Sequence, residues 1–69
     1  MNEKCKNRIE ELMDDAIYGD LETAKEKLIY VEGMVESLFL SGIVDQVEKS
    51  LIQIVLNKIR MSRGILLGS

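Results

Sequence analysis

Apolar residues recur at intervals of three and four along most of the chain, which is the spacing of one face of an α-helix. The two-residue alternation of β-strands is missing from the sequence. We therefore predict three helices, at about 2–18, 20–40 and 44–63, followed by a short tail, 64–69, that begins with a glycine.

Turn-forming residues mark the ends of these predicted helices. Gly19 and Asp20 indicate the end of one helix and the N-cap of the next. Gly42 is a second stop signal, and Asp45 followed by Glu48 fits a capping box. The predicted fold is all-α: a small antiparallel three-helix bundle in which helices 2 and 3 form the main hairpin and helix 1 packs on it.

The first two predicted helices are apolar on one side only. In helix 2 the apolar positions have the 3-4 spacing of a helix seam: Leu21, Ala24, Leu28, Val31, Val35 and Leu38. Helix 1 has a stripe of similar width: Cys5, Ile9, Leu12, Met13, Ala16 and Ile17. Stripes of this width are typical of helices that bury one face against the rest of a small domain.

Helix 3 has more apolar positions than one buried face requires. They cover roughly 220° of its circumference, whereas a surface helix of a globular protein needs an apolar stripe of little more than ~100°. We predict that one side packs into the chain's own core: Val47, Leu51, Ile54 and Val55.

The other side of helix 3 is then left uncovered, and we predict that it forms a homo-oligomer interface. The residues assigned to this interface are Ile43, Ile52, Leu56, Ile59 and Met61. In the alternative, helix 3 is the central helix and is enclosed by helices 1 and 2. We favour the interface, because two neighbouring helices cannot cover so wide an apolar surface and monomers seldom expose it.

The length of the chain supports a role for a partner. We expect a 69-residue chain to form a single domain, 1–69, and a core of this size rarely contributes more than roughly 3–5 kcal/mol. The one cysteine, Cys5, cannot form an intramolecular disulfide, and we expect it to be a buried core residue. With no histidine and a single thiol, we expect no metal site, and we expect no cofactor. A homodimer is the simplest remaining source of stability.

The sequence favours a cytoplasmic protein. Its first stretch, MNEKCKNRIEELMDD, is charged where a secretory signal is apolar, and no apolar run reaches the ~18–20 residues of a membrane span. Cations near the apolar tail are compatible with binding to a membrane surface. We instead expect Ile65–Leu67 to cover an open end of the bundle or to pair with a second subunit.

The net charge of −3 is unevenly distributed. Four carboxylates lie near the end of helix 1, where they oppose the helix dipole: Glu10, Glu11, Asp14 and Asp15. A basic cluster lies near the end of helix 3: Lys58, Arg60 and Arg63. We slightly favour pairing of the acidic end with the basic end. The alternative is an acidic docking face for a basic partner protein.

These features favour a binding function over catalysis. Serine or cysteine catalysis with a histidine base is impossible without histidine, and we expect no enzymatic activity. We predict a small regulatory or inhibitory protein, of the kind found among bacterial and phage accessory proteins, that binds itself and a second, unidentified protein. The alternative is a dimeric nucleic-acid-associated regulator that uses the basic end of helix 3. It is disfavoured because few Arg, Asn or Lys residues follow the turn at Gly42.

Overall fold

Three α-helices account for nearly all of the structure, a computed structural model that describes residues 1–65. α1 spans Glu3–Tyr18, α2 spans Leu21–Leu40 and α3 spans Gln46–Arg63. The described part of the chain contains no strand, and its radius of gyration is 11.5 Å. The all-α prediction is confirmed. The expectation for the apolar tail falls largely outside the described residues.

A side-chain cap begins each helix. Asn2 caps α1, and the carboxylate of Asp20 accepts a hydrogen bond of 2.8 Å from the backbone N–H of Thr23 in α2. At the start of α3, the predicted capping box is present. Asp45 accepts from the Glu48 N–H at 2.8 Å, and Glu48 accepts from the Asp45 N–H at 3.2 Å. α3 therefore starts at Gln46 rather than at 44.

The cap of α2 changes the ionisation of its carboxylate. Hydrogen bonds from the backbone and side chain of Thr23, and to a lesser extent the charge of Arg63, hold the pKa of Asp20 below its ordinary value of 3.8. Since the pKa of Asp20 is lower in the folded state, its ionised carboxylate stabilises the fold at pH values above the ordinary pKa. This stabilisation is lost as the pH falls through the pKa of the folded state.

Two of the three predicted glycine stops have the left-handed backbone that glycine favours. Gly42 and Gly64 have φ angles of 79° and 71°, and Gly64 forms the C-cap of α3. Gly19 has an extended backbone instead. Glycine is needed there because a larger residue would have no room for its side chain. A Cβ at Gly19 would lie 2.6 Å from the carbonyl oxygen of Asp15.

α1 and α2, rather than α2 and α3, make the most extensive contacts in the chain. The prediction that helices 2 and 3 are the main pair is therefore wrong. Ala16 and Ala24, 1% and 0% exposed, are small residues that allow the two helix backbones to approach closely. The link between these helices is also short, consisting of Gly19 and Asp20.

The core combines one face of each helix. Its buried residues are Ile9, Leu12, Ala16, Ala24, Leu28, Val31, Val35, Leu56, Ile59 and Ile65. The predicted stripes of α1 and α2 are thus largely confirmed. Cys5, which the sequence placed in the core, is only half-buried.

The side of α3 that faces the core is the opposite of the predicted one. Leu56 and Ile59 are 1% and 6% exposed, and half-buried Ile52 packs against the core. The residues predicted to be buried are instead exposed: Val47, Leu51, Ile54 and Val55. The prediction failed because the spacing of apolar residues gives the width of the stripe but not which edge meets the neighbouring helices.

Polar contacts join the two ends of α3 to the two ends of α1. The N-terminal amino group of Met1 donates to Oε2 of Glu48 at 3.0 Å. At the other end, Nη1 of Arg63 donates to the carbonyl oxygen of Gly19 at 2.6 Å. The beginnings of α1 and α3 are therefore close to each other, as are their ends.

Within residues 1–65, each helix is either too short or too polar to cross a membrane.

The burial of one side of α3 can be tested by the same substitution, leucine to alanine, at a buried and at an exposed position. We expect Leu56→Ala to lower the free energy of unfolding by ~2–5 kcal/mol, because it removes buried methyl groups. Leu40→Ala, at a position 76% exposed, should change it by less than ~0.5 kcal/mol. Urea denaturation followed by circular dichroism measures both, and a similar loss in the two variants would contradict the structure.

Candidate protein-binding surface

The exposed side of α3 carries a continuous row of apolar side chains. Each lies three, four or seven residues from at least one other member, and together they occupy an arc of roughly 120° on the helix. We call this row the α3 stripe, and its members are Val47, Leu51, Ile54, Val55 and Met61. Their exposed fractions run from 42% for Val55 to 76% for Met61. Such a row on one helix is typical of a seam that packs against another helix.

A groove between α1 and α3 adjoins one edge of the α3 stripe. Its apolar lining comes from Ile9 and Met13 on α1 and from Leu51, Ile52 and Val55 on α3. Its volume is about 480 Å³. Leu51 and Val55 belong both to the groove and to the stripe, so the apolar surface extends from α3 towards α1.

The rim of this α1–α3 groove is charged. Lys6 and Glu10 line it from α1, and Glu48 and the N-terminal residue Met1 line it at the start of α3. Glu48 is held by the amino group of Met1. Charged groups of both signs therefore border the apolar surface near the beginning of α3.

One cation lies within the α3 stripe itself. Lys58 is separated from Leu51 by seven residues and from Ile54 by four, so it shares their side of the helix. Its side chain is exposed and makes no ion pair within residues 1–65. A single lysine in an otherwise apolar seam can fix the orientation and register of helix pairing.

The other two predicted basic residues do not join Lys58 in a common patch. Arg60 is 4% exposed, and its guanidinium pairs with Glu32 of α2 and donates to Oδ1 of Asn57 at 3.3 Å. Arg63 donates to the backbone of α1, at 3.1 Å to Ala16 and 2.8 Å to Ile17. The predicted basic patch is therefore divided among the core, the end of α1 and the surface.

Arg63 performs a capping role that the sequence did not indicate. The last carbonyl groups of a helix have no partner within the helix and carry its partial negative charge. Arg63 satisfies three such oxygens around the end of α1, the third being that of Gly19. No side-chain pattern could have identified these acceptors, because they belong to the backbone.

The four acidic residues of α1 are all exposed: Glu10, Glu11, Asp14 and Asp15. Glu11 lies 3.7 Å from Arg8 of its own helix. Within residues 1–65, none of the four forms a salt bridge with the basic residues of α3. The favoured prediction, that this acidic end pairs with the basic end of helix 3, is wrong, because Arg63 binds backbone carbonyls instead. The docking role stays a prediction.

The predicted oligomer interface is divided between the surface and the core. Ile43 and Met61 are exposed, Ile52 is half-buried, and Leu56 and Ile59 are buried within the chain. The exposed α3 stripe, rather than the Ile52–Leu56–Ile59 side, is the apolar surface of α3 that the single chain leaves uncovered. In the part of the chain that the structure describes, no cluster of three metal-binding side chains is found.

Comparison of the chain with protein-family models, with curated proteins and with solved structures gives no match.

The contact between Arg60 and Glu32 is open to a direct test. We expect Glu32→Ala to lower the free energy of unfolding by ~1–3 kcal/mol, since it leaves the buried guanidinium without its anionic partner. The matched change is Glu36→Ala on the same helix, which removes an exposed ion pair with Lys49 and should cost less than ~1 kcal/mol. Chemical denaturation measures the two losses, and an equal cost would show that Arg60 does not depend on Glu32.

Proposed function

We propose that this protein is a small non-enzymatic regulator or inhibitor that acts in the cytoplasm by binding proteins, and that the α3 stripe is its binding surface. The first partner is a second copy of the chain, which covers the stripe in a homodimer. The observation that carries the proposal is the exposure of Val47, Leu51, Ile54 and Met61 on one side of one helix.

The physical support is the cost of leaving this surface in water. Burial of apolar surface is favourable by ~25 cal/mol per Å², and contiguous exposed patches beyond a few hundred Å² are uncommon on monomers. The stripe extends into the α1–α3 groove through Leu51 and Val55. A helix laid along the stripe can therefore bury side chains of both α3 and α1.

We also infer that the helices run up, down and up, so that α2 is antiparallel to both α1 and α3. Two contacts support this arrangement: Met1 with Glu48 at the beginnings of α1 and α3, and Arg63 with Gly19 at their ends. In this arrangement the acidic face of α1 and the α3 stripe are on adjacent helices.

A regulator also needs a target. For the target we propose a protein with a basic surface, which would bind the acidic face of α1. Glu10, Asp14 and Asp15 support this proposal because their carboxylates are exposed and form no salt bridges within the described residues. Nucleic-acid binding is not proposed, because Arg60 and Arg63 are already engaged in contacts with α2 and α1.

The binding surface is tested by placing a charge in it. We expect Ile54→Glu to convert the dimer to a monomer, because the substitution puts two carboxylates into the apolar interface. The matched control is Ile29→Glu on α2. Ile29 and Ile54 have similar exposed fractions, 56% and 52%. Light scattering measures the mass of each variant, and circular dichroism measures its helix content.

Three results would contradict the proposal. The first is a monomeric wild-type protein at micromolar concentration. The second is an Ile54→Glu variant that keeps the dimer mass. The third is an Ile29→Glu variant that loses the dimer as readily while its helix content is unchanged.

A further inference from the structure

We propose that the two copies pair antiparallel through α3, with Lys58 of each copy lying against the first turns of the other copy's α3. This inference rests on the proposed function, since it specifies how a second copy occupies the α3 stripe. The distribution of apolar and charged residues along α3 supports it.

Three of the five positions of the α3 stripe map onto stripe positions when the helix is reversed about Ile54. A twofold interface joins the same surface of both copies, so that surface must be complementary to itself. Val47 precedes Ile54 by as many positions as Met61 follows it. Antiparallel pairing centred on Ile54 therefore places Val47 of each copy opposite Met61 of the other, and the two stripes overlap along their full length.

Lys58 distinguishes this orientation from a parallel one. In a parallel pair with the same overlap, the two Lys58 side chains would meet within the apolar seam. Two like charges removed from water are strongly unfavourable. Antiparallel pairing separates them and places each beside the turn between Val47 and Leu51 of the other copy.

The first turns of α3 carry two carboxylates, Asp45 and Glu48, and one ammonium group, Lys49, which pairs with Glu36 of α2. Lys58, towards the other end of α3, makes no ion pair within residues 1–65. Reversal of one helix therefore brings Lys58 of each copy near the carboxylates of the other. The helix dipoles also oppose each other in this orientation, which adds a smaller favourable term.

The long side chain of Lys58 suits such a position. Its methylene groups can cover apolar surface while the ammonium group reaches a carboxylate at the edge. Glu48 is already at the rim of the α1–α3 groove. The ammonium group of Lys58 from the second copy would lie at this rim, beside Glu48.

Engineered disulfides test the orientation. Each variant is made in a Cys5→Ser background, so that the introduced thiol is the only one. Ile54→Cys should cross-link to itself, since it lies at the centre of the interface. A mixture of Val47→Cys and Met61→Cys chains should form a mixed disulfide, whereas Val47→Cys alone should not cross-link above background.

The geometry makes these expectations distinct. In the antiparallel pair, the two copies of position 47 are separated along the helix axis by about 21 Å, at a rise of ~1.5 Å per residue. A disulfide requires Cα atoms within ~7 Å of each other. Ile29→Cys, exposed on α2, gives the background of collisional cross-linking, and circular dichroism verifies that every variant is folded.

The outcomes separate the orientation from the dimer itself. Cross-linking of Val47→Cys alone, without the mixed disulfide, would overturn the antiparallel arrangement and leave the self-association intact. Background-level cross-linking of Ile54→Cys together with a monomeric mass would overturn both. The mixed disulfide with no Val47 homodisulfide supports the proposal.

A Lys58→Leu substitution in the Val47→Cys chain tests the role of the lysine. Without the repulsion between lysines, parallel pairing becomes accessible, and the Val47 homodisulfide should then rise above the Ile29→Cys background. An unchanged pattern would overturn the role of Lys58 in fixing the orientation.

Discussion

The rotation of α3 about its own axis depends on one charged side chain that the fold places in its interior. Arg60 is 4% exposed, and its guanidinium pairs with Glu32 of α2. An unpaired guanidinium in this position would be strongly unfavourable, so α3 must keep Arg60 against α2. Leu56 and Ile59 then face the core, and the α3 stripe faces away from it.

Further polar contacts set the position of α3 along the bundle. Glu48 binds the amino group of Met1, and Arg63 binds the carbonyl groups at the end of α1. Between these ends, Lys49 pairs with Glu36 at 2.8 Å and lies 4.3 Å from the centre of the Phe39 ring. α3 is thus attached to its neighbours by charged groups as well as by apolar ones, and the α3 stripe stays exposed.

The sequence was sufficient to predict the features that depend on residues close together in the chain. The 3-4 spacing and the caps at Asp20 and Asp45 depend on residues close in the chain, and they predicted the three helices correctly. The face of α3 could not be predicted in this way, because apolar residues occur on both sides of the helix. Arginine is usually exposed, so the pattern treated Arg60 as a surface residue. The carbonyl partners of Arg63 leave no signal in the sequence.

The proposed homodimer requires that a second copy of the chain cover the α3 stripe. Isotope-filtered NMR on a mixture of labelled and unlabelled protein measures this contact directly, since it detects only proximity between different copies. We expect intermolecular nuclear Overhauser effects from the methyl groups of Leu51, Ile54 and Met61. No intermolecular effect from these three residues, or effects arising only from Ile29 on α2, would contradict it.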